Sequence, residues 1–326
     1  MMRTQIIIAY FLFFISIGSI SKAQDVHFSQ YYNTPLLINP ALTGDFLGKA
    51  RFIMNYRNQW QSITVNPYRT IAFSGDGLFL KDKLAIGLQF FNDKAGDANL
   101  GTTELCASIA TGIHLNKNNY LRLGLQTCWS QQSLNTSALT WNSQYDGTTI
   151  NPEIASGETG FQKFHYFDIS TGLLWKHLFP NKTVWNFGLS AYHISHPQYS
   201  YMGSNMSLPI RWNLHADVSI LIGENTNMTL HPSLLLMKQG FLTEEAIGMY
   251  IRYKLGLNSK YTGAYKNSYV NFGGYYRVKD AVIAYTRFDF YNQYSIGFSY
   301  DFNVSKFKTV TLIKGGLEFS LIYFLK

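Results

Sequence analysis

The sequence predicts an all-β chain whose strands close into a membrane-spanning barrel, and three observations carry that prediction. Segments of roughly ten residues alternate apolar with small or polar side chains. No stretch beyond residue 23 is apolar enough to form a spanning helix, and few charges accompany many aromatic residues. The clearest segment sets Tyr294, Ile296, Phe298, Tyr300 and Phe302 on one parity against Ser295, Gly297, Ser299, Asp301 and Asn303 on the other. A period of two with one aromatic and one polar face fits a sandwich strand or a membrane barrel strand. What precedes the first strand decides between them.

Residues 1–23 carry Arg3, an apolar run from Ile6 to Ile20, then Ser21 and Ala23 around Lys22. This pattern is a secretory signal, with cleavage expected after Ala23 and Sec-type export. A membrane anchor is the weaker reading, because the run falls short of the roughly 20 residues a spanning helix needs. Charged residues make up 14% of the chain and aromatics 16%, with 23 Tyr and 24 Phe. Such a surface suits lipid better than water. The formal charge of +8 becomes about +6 once Arg3 and Lys22 are lost, and the remaining cations are scattered. That distribution excludes nucleic acid as a partner and leaves rim lysines facing a lipid bilayer.

Alternation starts after Gly44, with segments near 49–58, 69–80, 83–93, 102–114, 119–132, 164–178, 183–194, 210–223, 227–237, 245–258, 268–278, 281–290, 293–303 and 315–326. About fourteen antiparallel strands result, an even number, as a bacterial barrel with both ends in the periplasm requires. Charge is confined to one parity where Arg122, Gly124 and Gln126 oppose Leu121, Leu123 and Leu125, and where Arg211, Asn213, His215 and Asp217 oppose Trp212, Leu214 and Ala216. This fits a polar lumen, since Arg or Lys on the lipid face at mid-depth costs about 2–4 kcal/mol. The faces are less distinct at 281–290.

Barrel strands alternate short periplasmic turns with long outer loops. The expected outer connections are 59–68, 94–101, 133–163, 195–209, 238–244, 279–280 and 304–314, and most are longer than the inner ones. Two break the rule: the inner connection near 259–267 is too long and the outer one at 279–280 too short, which points to a miscounted strand there. The last segment, Gly315 to Lys326, is an aromatic strand like those by which assembly machinery recognises barrel clients. The expected organisation is a signal at 1–23, an N-terminal segment at 24–48 and the barrel at 49–326.

No phosphate-cradling glycine loop, zinc-binding His-Glu spacing, nucleophile elbow or Cys-x-x-Cys pair is present. No cofactor or metal is expected, and dispersed histidines such as His165, His177, His193 and His196 suit structural or rim roles. The acids Asp168, Asp217 and Asp301 suit an ion-paired lumen better than catalysis. With a turn centred on Lys117, Cys106 falls opposite Cys128, which predicts a cross-strand disulfide in an oxidising compartment. A register slip of one pair would set Cys106 against Ser130, and two reduced thiols are the other alternative.

Between the signal and the first strand lies an aperiodic stretch with two prolines and many aromatics and amides, a poor strand. Asn39-Pro40 is built to open a helical turn, with Asn39 as cap and Pro40 in the first position. The stretch is expected to fold inward as a plug or to line the periplasmic mouth.

Phe28-Ser29-Gln30-Tyr31, Pro35-Leu36, Asn39-Pro40-Ala41, Thr43-Gly44 and Asn55-Tyr56-Arg57-Asn58-Gln59-Trp60 form a motif series. It resembles the PorP/SprF family of type IX secretion system membrane proteins of Bacteroidetes. The resemblance continues through Ser74-Gly75-Asp76, Ser299-Tyr300-Asp301-Phe302-Asn303 and Gly316-Leu317-Glu318-Phe319-Ser320-Leu321. The closing motif departs from the family in its Lys314-Gly315 lead-in and in the tail Phe324-Leu325-Lys326. The resemblance implies a non-enzymatic outer-membrane barrel that helps a specific cargo, often a gliding adhesin, reach or attach to the cell surface. It also implies that the barrel recognises the cargo's C-terminal domain and contacts other secretion components in the periplasm and outer membrane. Candidate cargo contacts are Trp141, Tyr145 and Phe161 in one outer loop and Tyr199 and Tyr201 in another. The runner-up function is a transporter or channel for small hydrophobic molecules, since a plug with an Asn-Pro-Ala element is also similar to fatty-acid transport barrels.

Overall fold

An alternating strand satisfies lipid on one side and a polar interior on the other only if the sheet closes, because an open edge in hydrocarbon strands its N–H and C=O groups. In a computed structural model of the chain the sheet does close. The structure describes residues 25–61, 64–80, 83–157, 163–200, 206–223, 227–255, 268–306 and 311–326; the signal segment at 1–23 lies outside them. Fourteen antiparallel strands form one closed barrel in sequence order. They are β1 (Ala50–Gln59), β2 (Tyr68–Phe79), β3 (Leu84–Ala95), β4 (Leu100–His114), β5 (Asn119–Ser133), β6 (Phe164–Leu178) and β7 (Val184–Tyr192). The second half comprises β8 (Arg211–Ile222), β9 (Met228–Gln239), β10 (Leu242–Leu255), β11 (Ser268–Arg277), β12 (Ala281–Phe290), β13 (Tyr294–Asn303) and β14 (Lys314–Leu325). The closing seam pairs β1 with β14 from Ala50↔Leu325 to Gln59↔Gly316.

Side chains sort by parity as the alternation requires. Arg122, Gln126, Arg211, Asn213 and Asp301 are buried on the lumen side, while Leu123, Leu125, Trp212, Phe298 and Phe302 stand exposed on the outer wall. The blurred segment, β12, has a physical reason. Its inward residues Ile283 and Tyr285 are apolar because they pack on Tyr31 and Ile38, within a cluster that also takes Leu235, Met237 and Tyr275.

Strand limits fall within three residues of expectation, and no strand is miscounted. The expected outer connection at 238–244 is instead a tight turn at Gly240–Phe241, because the β9–β10 ladder runs on to Leu242↔Gln239. Gly240 takes φ +59 there. The long connection expected near 259–267 lies outside the described residues. Apart from this β10–β11 connection, the longest connections, 134–163 and 193–210, lie at the end of the barrel away from Ala50 and Leu325, called here the loop end; the opposite end is the terminal end.

The β4–β5 register sets Ile113 against Leu121 and Cys106 against Cys128. A disulfide joins the two cysteines on the lumen face. It closes a span of 22 residues already held by a full ladder. We therefore expect Cys106→Ser/Cys128→Ser to retain a heat-modifiable barrel while losing no more than about 3 kcal/mol. Alkylation before and after reduction, read by mass, should find no free thiol and then two; two free thiols in unreduced protein would contradict the bond.

Candidate functional site in the barrel lumen

Residues 25–45 lie within the lumen and not at its mouth. The stretch starts at the loop end and descends to the terminal end, where β1 begins. Its prolines and amides form three short helical turns at Tyr31–Asn33, Pro35–Ile38 and Pro40–Leu42. Asn39 caps the last, accepting the Ala41 N–H at 2.9 Å, and Pro40 fills the first helical position. So short a segment buries its polar groups only by bonding to the wall, and it does so at three levels.

At the loop end, the Asp25 carboxylate accepts from Arg211 Nη1 at 2.8 Å and from Gln239 Nε2 at 3.0 Å, and meets His193 Nε2 at 2.6 Å. His193 Nδ1 lies 2.9 Å from Asp168. Burial opposes charge on both Asp25 and His193, yet their mutual attraction wins. The Asp25 carboxyl is held well below the usual range by His193 and Arg211, and the imidazole is raised from 6.5 to about 10 by Asp25 and Asp168.

Next along the segment, Glu318 accepts two consecutive backbone N–H groups, Ser29 at 2.6 Å and Gln30 at 2.8 Å. Ser29 Oγ donates to Asp301 at 2.6 Å. The same carboxylates hold guanidinium groups: Arg57 spans Glu318 at 3.2 Å and Asp301 at 3.3 Å, and Arg277 reaches Asp301 at 2.9 Å. Gln30 completes the contact through Ser299 at 3.0 Å and Ser320 at 2.8 Å. Beside it Tyr32 stacks on Tyr275 with centroids 5.1 Å apart and meets Tyr285 edge-on at 4.9 Å.

Toward the terminal end, Asn39 donates to the Leu173 carbonyl at 2.9 Å and lies 3.1 Å from His215 Nε2. The Pro40-Ala41 backbone presses on paired glycines of β5 and β6, Gly124 and Gly172. A Cβ on Gly172 would fall 1.8 Å from Asn39 Oδ1, and one on Gly124 2.3 Å from Ala41 N. Arg122 donates to the Ala41 and Thr43 carbonyls. Gly44, at φ +72, gives its N–H to Asp76 at 2.7 Å, and Arg51 binds the same carboxylate at 2.7 Å.

The motif residues named from sequence separate accordingly. Gln30, Tyr31, Asn39, Pro40, Gly44 and Arg57 make lumen contacts, with Phe28, Pro35 and Asn55 buried beside them. Phe28 packs on Ala72 and Phe91. Tyr56 instead points to the outer wall by parity, and Trp60 stands at the rim, edge-on to Tyr68 at 4.9 Å. Of the loop candidates, Tyr145 is exposed, Trp141 half-buried, and Tyr199 turns inward onto Phe164 and Tyr166. Phe161 and Tyr201 lie outside the described residues. Sequence reasoning missed Asp25, Arg51, Arg277 and Glu244: Asp25 and Glu244 lie outside the expected strands, and for Arg51 and Arg277 only inward parity signalled a lumen role. Above the lumen segment a cavity of about 230 Å³ opens toward the loop end, floored by the Cys106–Cys128 disulfide and roofed by Tyr199 and Met206.

The motifs that lie far apart in sequence thus meet on one lumen contact. The family model described as type IX secretion system membrane protein PorP/SprF matches residues 20–323. The chain belongs to the PorP/SprF family. With a closed barrel and an apolar outer wall, it is an outer-membrane component of the type IX secretion system. No curated protein matches the chain. Among solved structures it is similar to a FadL homologue of Pseudomonas aeruginosa, at 13% identity and TM-score 0.49 over 88% of this chain and 93% of that one. The CymD monoaromatic hydrocarbon channel gives 12% and 0.49 over 95% of each chain. The Pseudomonas putida toluene transporter TodX gives 11% and 0.48 over 89% of this chain and 92% of that one.

Gly172→Val should keep the strand, which favours a β-branched residue, but displace Asn39. We expect a folded barrel whose residues 25–45 become protease-sensitive and whose conductance in planar bilayers rises above that of the parent; a resistant, silent variant would contradict the packing. The loop-end anchor should also depend on pH. The His193 contribution is complete below about pH 6.5 and lost as pH rises toward 10. That of Asp25 is complete above about 3.8 and lost on acidification. Hydrogen exchange at residues 25–30 should therefore be slowest between roughly pH 4 and 6.5, after correction for intrinsic rates, with the alkaline loss absent in Asp25→Asn.

Proposed function

We propose that this PorP/SprF barrel is a non-enzymatic station dedicated to one secreted, adhesin-like cargo, whose C-terminal domain it holds at the cell surface. The observation that carries the reading is the filled lumen. Residues 25–45 act as a plug fastened to strands all around the wall by polar bonds, which favours a docking role over a conduit. Recognition then falls to the loop end, where the 134–163 connection is the longest outer element and presents Tyr145 beside half-buried Trp141. Periplasmic secretion components meet the opposite end, and the membrane takes the apolar wall.

The site's chemistry supports a non-enzymatic role. Both ring nitrogens of His193 face carboxylates, so the imidazole is held as a cation and has no lone pair to act as a base. Ser195 donates its hydroxyl to Asp168 at 2.8 Å and not to that ring.

Removing residues 134–163 and joining β5 to β6 by a short turn should abolish surface display of the cargo while leaving the barrel inserted. Quantitative surface labelling of parent, barrel-deleted and loop-deleted cells reads this directly. Normal display by the loop-deleted barrel would reject the loop as the contact. Solute uptake by a purified barrel with its plug seated would favour a channel for small hydrophobic molecules instead.

A further inference from the structure

β6 has fifteen residues and its neighbour β7 has nine. On one side β5 covers β6 as far as Gln132↔Phe164. On the other side the β7 ladder stops at Thr171↔Ala191, extended only by Ile194 N–H to the Ile169 carbonyl at 3.0 Å and by Ile169 N–H to Ser195 Oγ at 3.2 Å. The chain then leaves the wall. His193 at φ +59 and His196 at φ +48 turn it inward, and Gln198 bridges Ser207 in a small hairpin. That hairpin carries Tyr199 onto the lumen-side rings Phe164 and Tyr166.

Among the described residues the upper edge of β6 has no paired neighbour. In an antiparallel ladder N–H and C=O groups alternate sides by residue, and Ile169 directs both of its own toward β7. Phe167 and His165 share its parity, so four backbone groups point into the space β7 vacates, and none has a partner among the described residues. Phe167 is 69% exposed, and His165 and Ile169 are exposed beside it. Across the ladders Phe167 is level with Trp129 and Leu105, which also face outward. The notch therefore opens at the lipid interface near the loop end, where uncovered backbone groups are costly.

We propose that this notch is a strand-addition site: an extended segment of the cargo protein pairs with the His165–Phe167 edge of β6 and completes the wall. A polypeptide backbone supplies donors and acceptors at the required spacing, which a lipid headgroup or a small hydrocarbon does not. The flanking faces specify the segment. Its outward residues must be apolar, to lie beside Phe167 and Ile169, and its inward ones polar or small, to lie beside Tyr166 and Asp168. The proposal rests on the cargo-docking reading and names the contact through which that docking is made.

Phe167→Pro tests it, because proline removes the edge N–H while the β5 ladder uses the even residues; Phe167→Ala keeps the N–H and removes only the ring. Both variants should insert, as judged by heat-modifiable migration. The cargo is defined as the surface protein lost when the barrel is deleted. Its surface level should fall roughly tenfold in Phe167→Pro and much less in Phe167→Ala. A photoactivatable phenylalanine analogue at position 167 of the otherwise native chain should cross-link to that same protein, and this decides the matter should the proline variant fail to fold. Wild-type display by Phe167→Pro without a cross-link overturns strand addition alone, as does a cross-link to a second copy of the barrel or to its own 193–210 loop. If deleting the barrel costs the cell no surface protein, the cargo reading itself falls and this proposal with it.

Discussion

Arg57 stands directly opposite Glu318 across the seam where β1 meets β14, and most of the lumen is organised around that pair. A closed barrel needs its first and last strands to find each other with no connecting turn to set the register. Hydrophobic alternation fixes the register only to within two residues. A charge pair at one rung removes that ambiguity. Buried alone, the pair would be a poor source of stability, since desolvating two ions offsets much of their attraction. It is not alone: Asp301 and Arg277 complete a four-charge cluster, and the Ser29 and Gln30 N–H groups bind Glu318. Losing one member would strand its partners in a low-dielectric interior, at a cost of about 3–5 kcal/mol.

This explains why the motifs are distributed as they are. Ser29 and Gln30 precede the barrel, Arg57 lies in the first strand, and Ser299, Asp301, Glu318 and Ser320 belong to the last two. They are remote in sequence and adjacent in space. Asp76 repeats the design nearer the terminal end by binding Gly44 and Arg51 together. The lumen segment is therefore part of the seam, and closing the barrel and seating the segment satisfy the same carboxylates.

How much of this was legible depended on whether a feature was periodic. Strand limits and faces were readable because lipid and lumen impose opposite demands on neighbouring residues, and a charge on the wrong parity is expensive. The pattern blurred at β12 because Ile283 and Tyr285 face protein inside the barrel and not water. Cys106 and Cys128 could be placed because a short turn near Lys117 fixes which residues face each other. The connection at 238–244 was misjudged because Lys238, Gln239 and Thr243 look like loop residues, although their backbones pair. The partners of the lumen segment were not readable at all. Asp25 meets His193 and Arg211 across 168 and 186 positions, and nothing local to either marks the other.

The aperiodic stretch links two features, the occupied lumen and the β6 edge that has no paired neighbour among the described residues. His193 turns the chain away from β6, and its side chain is held there by Asp168 on β6 and by Asp25 at the head of the lumen segment. Were Asp25 absent, His193 would lose one of the two carboxylates that stabilise its charge, and the left-handed backbone it adopts carries a cost of about 1–3 kcal/mol for a non-glycine residue. The same chain would then have reason to straighten and continue the ladder along Ile169, Phe167 and His165. The seated lumen segment thus favours the turn at His193, and with it a β6 edge that has no paired strand among the described residues.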